Sequence, residues 1–136
     1  SAATDVTGFG LVGHLLNLLE ASRVGGELYF DAIPIFPHAR NLAARGFVPG
    51  GTMRNLEAAN ERVSWAAELS ETDRLLAVDA QTSGGLLLAV PPENERALLE
   101  ALQTRGTPVA VTIGRLTADH PGRLEVLANP PGGVAS

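Results

Sequence analysis

Apolar residues recur along this chain at helical and strand spacings, between clusters of glycine, proline and small polar residues. Leu11, Leu15 and Leu18, for example, fall on one face of a helix. Spacing and end signals together predict helices at residues 10–22, 36–45, 55–69 and 92–105. Strands are predicted at residues 27–30, 86–90, 109–114 and 123–127.

Glycine, proline and small polar residues mark the boundaries of these elements. The pair Gly25-Gly26 is predicted to end the first helix, and residues 47–52, 70–73 and 79–85 are predicted loops or turns. The run from Leu86 to Val90 is continuously apolar, which predicts a buried strand. Residues 75–78 are too short an apolar run to assign.

The order of helices and strands predicts a layered α/β or α+β domain, with one mixed β-sheet packed by helices. A length of 136 residues and a hydrophobic content of 45% suit one compact domain. We expect this domain to span residues 1–127, and residues 128–136, with two Pro and two Gly, to form a flexible tail. Because the chain lacks an initiating Met and opens on a loop of functional type, we expect it to be part of a longer protein.

Composition excludes several classes of function. The net charge is −5 without a basic run, and aromatic residues make up 4%, whereas nucleic-acid surfaces need clustered cations and stacking rings. No apolar run approaches the ~20 residues of a membrane span. The chain has no Cys, which excludes disulfides and thiolate chemistry and fits a cytoplasmic location. All ten basic residues are Arg, so a Walker A loop, which needs Lys, is excluded.

The candidate chemistry lies at the start of the chain. Asp5 and Thr7 lead into Gly8, Gly10 and Gly13, and these glycines open the first predicted helix. A glycine-rich turn lets the backbone approach a ligand, and a helix N-terminus favours a phosphate. A carboxylate beside it could hold the Mg²⁺ that accompanies a nucleotide. The segment predicts part of a Mg–phosphate site, with a helix-entry cap as the alternative role for Asp5 and a purely structural turn as the alternative for the glycines.

Residues 8–13 also fit the G-x-G-x-x-G pattern of dinucleotide-binding loops, with Asp31 about twenty residues later. That fingerprint needs a hydrophobic strand directly upstream, and residues 1–5 do not predict one. An acidic side chain at the mouth of the loop would also repel a pyrophosphate. Dinucleotide binding is therefore the less favoured hypothesis.

A second polar cluster, Gln81-Thr82-Ser83-Gly84-Gly85, precedes the predicted strand at residues 86–90. Thr82, Ser83 and Gly84 suit close approach of a ligand, and a tight loop capped by its own hydroxyls is the alternative. Outside these loops, His14 is predicted to be a hydrogen-bonded structural residue, His38 and His120 to be surface residues, and Trp65 to be a core residue on the third helix.

Three segments in this order resemble selenophosphate synthetase (selenide, water dikinase): residues 5–14, Pro49 to Asn55, and residues 81–87. The resemblance covers the C-terminal domain of that family, whose fold is shared with aminoimidazole ribonucleotide synthetase-like enzymes. It implies an enzyme that makes selenophosphate, AMP and phosphate from ATP, selenide and water, using Mg²⁺. It also implies a homodimer and an N-terminal domain outside this chain. The family usually has Pro where this chain has Ala80.

The resemblance also implies roles for individual residues. Asp5 matches an aspartate that holds metal ions, while Thr7, Gly8 and Gly10 would line the ATP phosphates. The reactive Cys or selenocysteine and the essential Lys of the family lie in the N-terminal domain, so this chain is expected to hold no catalytic residue and to be inactive alone. A non-catalytic binding or assembly module is the competing hypothesis.

Overall fold

The computed structural model describes residues 1–133. Its strands are β1 (Ala2–Asp5), β2 (Gly25–Tyr29), β3 (Val63–Trp65), β4 (Leu86–Ala89), β5 (Gly114–Thr117) and β6 (Leu124–Leu127). Its helices are α1 (Gly10–Ser22), α2 (Ala39–Ala44), α3 (Gly50–Ala59), α4 (Glu71–Ala77) and α5 (Pro92–Thr104). Short 3-10 turns lie at Phe30–Ala32 and Pro131–Gly133. Among residues 1–133, no helix has the length and apolar character that crossing a membrane requires.

A four-stranded mixed sheet forms the centre of the fold, in the order β3-β6-β2-β5. β6 runs parallel to both β2 and β3, whereas β5 runs antiparallel to β2. The predicted layered fold with a mixed sheet and packed helices is confirmed. The structure adds a second sheet of two strands, β1 and β4, which the sequence pattern did not predict.

The core lies where α1 packs on the four-stranded sheet. Leu16 and Leu19 of α1 are 2% and 0% exposed, and they share one cluster with Leu28, Leu124 and Val126 of the sheet. Full burial of one such side chain contributes roughly 1.5–3 kcal/mol, so this cluster is the main source of stability. It fixes α1, and therefore the loop before α1, on a rigid support.

The two-stranded sheet corrects two expectations. Residues 2–5, for which no strand was predicted, form β1, which pairs antiparallel with β4 from Ala2 opposite Ala89 to Asp5 opposite Leu86. The strand predicted as buried at 86–90 is exposed on one face, where Leu86 and Leu88 are 68% and 39% exposed. Within residues 1–133 β4 pairs with β1 alone, so an apolar run here does not mean burial on both sides.

The helix predicted at residues 55–69 is wrong in both bounds. Gly50 and Gly51, expected in a loop, form the first turn of α3 after Pro49, and the helix ends at Ala59. The apolar residues beyond it belong to β3, so Trp65 lies on a strand. Trp65 is half-buried against the core, as expected, and its indole N–H donates to Asn60 Oδ1 at 3.1 Å.

Other boundaries also shift. The second helix is shorter than predicted (Ala39–Ala44), the unassigned residues 75–78 mostly belong to α4, and β5 begins where the strand predicted at 109–114 was to end. The turn predicted at residues 70–73 is the capping box of α4, made by Ser70 and Asp73. Helix α1 ends at Ser22, with Arg23 as its C-cap residue. Gly25-Gly26 lie in β2, where a Cβ on Gly25 would be 2.0 Å from the Asp119 carbonyl oxygen. The predictions of α1, α5 and β6 are confirmed.

The predicted flexible tail, residues 128–136, is described only as far as residue 133. Its first residue is attached to the fold, because the Ala128 carbonyl accepts a hydrogen bond from the Asp31 N–H at 3.0 Å. Residues 134–136 lie outside the described part of the chain, and the flexibility of the tail stays a prediction.

Candidate functional site

Three segments that are far apart in the sequence are in direct contact. They are the loop between β1 and α1, the first turns of α3, and the loop between α4 and β4. Backbone hydrogen bonds join the first and third segments: Gly84 N–H donates to the Val6 carbonyl at 2.9 Å, and Gln81 N–H donates to the Thr7 carbonyl at 3.0 Å. All three segments that carry the family resemblance therefore contribute to one site.

Gly10 lets the two loops touch. Its φ of +73° is a conformation that suits glycine, and a Cβ there would lie 2.4 Å from the carbonyl oxygen of Val78. Its N–H is also engaged, donating to the Thr7 carbonyl at 2.9 Å. Gly8 differs, because a Cβ there would meet nothing within 4 Å. Gly10 thus serves close packing of the backbone, while Gly8 leaves open space at the front of the loop.

Two side chains of α3, those of Thr52 and Asn55, form hydrogen bonds to both loops. The Thr52 side chain is 1% exposed, donates to Asp79 Oδ1 at 2.6 Å and accepts from the Ala80 N–H at 3.1 Å. The Asn55 amide donates to the carbonyls of Gly8 and Val78, at 2.9 and 3.0 Å. One helix face therefore contacts both loops at once.

Asp79 is a residue of this site that the sequence did not single out. Its Oδ1 accepts from Thr52, and its Oδ2 accepts from Gln81 Nε2 at 3.1 Å. Its position two residues before Gln81 was a signal in the sequence, but several polar neighbours in the same loop were equally plausible candidates. The hydrogen bonds show that this carboxylate organises the loop.

Asp5 has a different environment. It lies exposed at the end of β1, and within residues 1–133 its carboxylate takes part in no hydrogen bond and no ion pair. It does not cap α1, because the N-cap residue is Phe9 and no side chain caps that helix end. The helix-cap alternative for Asp5 is therefore wrong, and the carboxylate oxygens are available to a ligand.

A Mg²⁺ ion fits the donor chemistry of Asp5 but needs further ligands. Mg²⁺ is commonly bound by one or two carboxylates together with phosphates and water. In the part of the chain that the structure describes, no group of three or more His, Cys, Asp or Glu side chains could hold a metal ion. Among the described residues, Asp5 could supply one carboxylate ligand to such an ion.

Thr7 and His14 form a pair beside Asp5. The Thr7 hydroxyl and His14 Nε2 are 3.0 Å apart, and the His14 ring lies 5.5 Å from the ring of Phe9. His14 is hydrogen-bonded, as predicted, and its structural role stays a prediction. The exposed hydroxyl of Thr7 is thereby held in one orientation at the mouth of the loop.

Thr82, Ser83 and Gly84 lie on the loop that contacts the Asp5 segment, through the hydrogen bond from Gly84 N–H to the Val6 carbonyl. Thr82 and Ser83 are exposed, and among the described residues their hydroxyls make no hydrogen bond, so the loop is not capped by its own hydroxyls. Gly84 is needed for packing, because a Cβ there would lie 2.8 Å from the Val6 carbonyl oxygen. His38 and His120 are exposed, as predicted.

The dinucleotide-binding hypothesis does not agree with the topology. A strand does precede the glycine loop, contrary to the expectation, but β1 pairs antiparallel with β4 and lies in a different sheet from β2. The fingerprint loop belongs to a parallel βαβ unit within one sheet. Residues 8–13 therefore match the pattern without its structural context.

Comparison with known proteins points to one family. Residues 1–127 match the family described as AIR synthase related protein, C-terminal domain. A protein named selenide, water dikinase from Shewanella baltica (strain OS155) is 47% identical over 102 residues, which are 75% of this chain and 28% of that protein. Proteins of the same name from Pseudomonas aeruginosa and Pseudomonas putida are 41% and 40% identical over 126 residues, which are 93% of this chain and 36% of each protein.

The chain thus spans about a third of the length of these relatives. The family match covers both sheets and all five helices described above, and it includes every residue of the site. The chain belongs to the AIR synthase related proteins, as a C-terminal domain of that family.

Proposed function

We propose that this chain is the C-terminal part of a selenophosphate synthetase, which makes selenophosphate, AMP and phosphate from ATP, selenide and water. The relatives at 40–47% identity bear the name of this enzyme, selenide, water dikinase. The observation that carries the proposal is the Asp5 carboxylate, which has no partner within residues 1–133, beside a loop that two other motif segments hold in place.

The chain would contribute one side of the Mg–ATP phosphate site. Asp5 would bind Mg²⁺, and the ion would neutralise charge on the phosphates. The Thr7 hydroxyl, fixed by His14, and the open backbone at Gly8 would face the phosphate oxygens. Gly10 would contribute by letting the loop pack closely against the end of α4, since its N–H already donates to the Thr7 carbonyl. The exposed hydroxyls of Thr82 and Ser83 lie on the neighbouring loop.

The remainder of the reaction would belong to the part of the enzyme outside this chain. The chain contains neither Cys nor Lys, so the selenide-handling thiol or selenol and the essential amine that the family resemblance implies must come from there. The working protein would be a cytoplasmic homodimer, with ATP and selenide as its substrates. Within this division of labour the chain binds and orients, and it supplies no nucleophile.

The test needs an active enzyme, which can be made by fusing this chain to the preceding part of the Pseudomonas aeruginosa relative. Selenide-dependent formation of AMP and selenophosphate by the fusion is the expected result, followed by phosphorus NMR. Asp5→Asn should lower turnover by at least ~100-fold, since losses of several kcal/mol are usual for contacts to charge that develops in the transition state. The matched control is Asp119→Asn, which removes the same charge from an exposed turn and should leave turnover unchanged.

Near-normal turnover of the Asp5→Asn fusion at ordinary Mg²⁺ concentration would show that Asp5 is not a metal ligand. A fusion that hydrolyses ATP without any dependence on selenide would contradict the proposed reaction.

A further inference from the structure

Helix α3 presents Thr52 and Asn55, three residues apart, between the two loops of the candidate site. Neither residue belongs to the ligand-facing set, and Thr52 is almost completely buried, at 1% exposure. Residues three apart on a helix point to the same side. Their polar groups therefore act on the same small region of backbone.

The hydroxyl of Thr52 is used in both directions. It donates to Asp79 Oδ1 at 2.6 Å and accepts from the Ala80 N–H at 3.1 Å. The other oxygen of Asp79 accepts from the Gln81 amide at 3.1 Å. Replacing the hydroxyl by a methyl group would leave a carboxylate oxygen and a backbone N–H without their partner in a half-buried place.

The amide of Asn55 uses both of its hydrogens. One bonds to the Gly8 carbonyl at 2.9 Å and the other to the Val78 carbonyl at 3.0 Å. These two carbonyls belong to different loops, and Gly8 is three residues from Asp5. A single side chain therefore bridges the Asp5 loop and the end of α4, in addition to the backbone hydrogen bonds that join the two loops directly.

We propose that Thr52 and Asn55 are positioning residues of the phosphate site. They hold the Asp5–Gly10 loop and the Asp79–Gly85 loop at a fixed spacing. Asp5 is thereby positioned to bind the metal, and Thr7 is positioned to contact the phosphates. The inference rests on the proposed function for its effect on turnover, but the fixed spacing of the loops can be measured without it. Misplacement of reacting groups by about 1 Å costs on the order of 100-fold in rate, which makes such spacing important.

The first experiment measures hydrogen exchange by NMR on this chain alone. Thr52→Val keeps the volume and removes the hydroxyl, Thr52→Ser keeps the hydroxyl, and Thr107→Val is the matched control at an exposed threonine. We expect exchange at the Ala80 amide to be at least ~10-fold faster in Thr52→Val, and near the wild-type rate in Thr52→Ser and in the control. Equal exchange in all four proteins would overturn the proposal.

The second experiment measures turnover in the fusion enzyme, well below its unfolding temperature. Thr52→Val and Asn55→Ala should lower kcat by about 10- to 100-fold. Thr52→Ser should recover most of the activity, and Asn17→Ala, at an exposed asparagine of α1, should have none of this effect. If Thr52→Val does not fold, Asn55→Ala carries the test, because Asn55 is only half-buried.

The outcomes separate the two proposals. A variant that unfolds at lower temperature but keeps full kcat while folded would show that the residue is merely structural, and would overturn the inference. If the wild-type fusion makes no selenophosphate, the proposed function fails, and the exchange experiment alone decides whether Thr52 and Asn55 fix the loops.

Discussion

Gly10→Ala is the substitution whose effect the structure defines most sharply. Two separate costs act at this position. The first is the positive φ of +73°, which costs an ordinary L residue roughly 1–2 kcal/mol. The second is contact, because the new Cβ would lie 2.4 Å from the Val78 carbonyl oxygen and 2.8 Å from that of Asp79. Both neighbours are backbone atoms, so relief requires movement of a whole loop.

Forcing extra atoms into a packed place typically costs about 1–3 kcal/mol. The sum predicts a loss of roughly 2–5 kcal/mol in the free energy of unfolding, against a total of about 5–15 kcal/mol for a domain. The assay is equilibrium unfolding of the isolated chain in urea, followed by circular dichroism. A loss at the upper end would leave the variant marginally folded at 25 °C.

Gly106→Ala provides the matched control. Gly106 has φ +79° at the end of α5, and a Cβ there would meet nothing within 4 Å. Its substitution should cost only the conformational part, about 1–2 kcal/mol. The difference between the two variants isolates the contact with Val78. Equal losses in the two variants would refute the claim that the glycine loop and the end of α4 touch through their backbones.

Three further predictions concern the isolated chain. Alone, it should form no AMP or selenophosphate from ATP and selenide above a blank, because it lacks Cys and Lys; product formation would refute the proposed division of labour. Its melting temperature should hardly move with millimolar Mg–ATP, because one carboxylate on a chain of net charge −5 gains little from a polyanion; a shift saturating at micromolar ATP would mean a complete site. Asp73→Asn should lower stability at pH 7 by about 1 kcal/mol, a loss that vanishes as the pH falls well below 3.8 and that Asp119→Asn should not reproduce.

The pH dependence of the last prediction follows from the surroundings of Asp73. Burial raises the pKa of this carboxyl, but hydrogen bonds from Arg40 and Ser70 more than offset that effect, so the pKa lies below its ordinary value of 3.8. A carboxyl with a depressed pKa stabilises the fold above the ordinary value and loses that contribution as it becomes protonated. The wild type and the variant should therefore converge as the pH falls, and a difference that did not shrink with falling pH would contradict the assignment.

Periodic segments with clear end signals were predictable from the sequence. Helix α1 has a leucine stripe after three glycines, and α5 begins at a proline pair, so both were placed within a residue or two. The segment 55–69 misled because Val63 continues the helical spacing past Ala59 and no Gly or Pro intervenes. Residues 63–65 form a strand because they pair with β6, which lies about 60 residues later in the sequence. The exposure of β4 likewise depends on which strands lie beside it.

The sequence indicated which segments form the site, but it did not show which of their carboxylates is engaged in holding a loop and which is exposed. Asp5 and Asp79 are both carboxylates next to glycine-rich loops, and sequence distinguishes them poorly. Only the hydrogen bonds from Thr52 and Gln81 show that Asp79 is engaged, and only the position of Phe9 at the helix N-cap removes a capping role from Asp5. Such pairings depend on the approach of α3, which local sequence does not encode.

The contact between Gly10 and Val78 has a consequence for how such a domain changes over generations. An altered side chain can often be compensated by a smaller neighbour, but here backbone lies on both sides, and no substitution at Val78 makes room for a Cβ. Asp5, by contrast, is exposed and unpaired within residues 1–133, so it can be exchanged at little structural cost. If the proposed role of Asp5 is correct, a descendant without the proposed reaction could lose Asp5 while still needing Gly10. The fold therefore constrains Gly10 directly, whereas only the proposed chemistry would constrain Asp5.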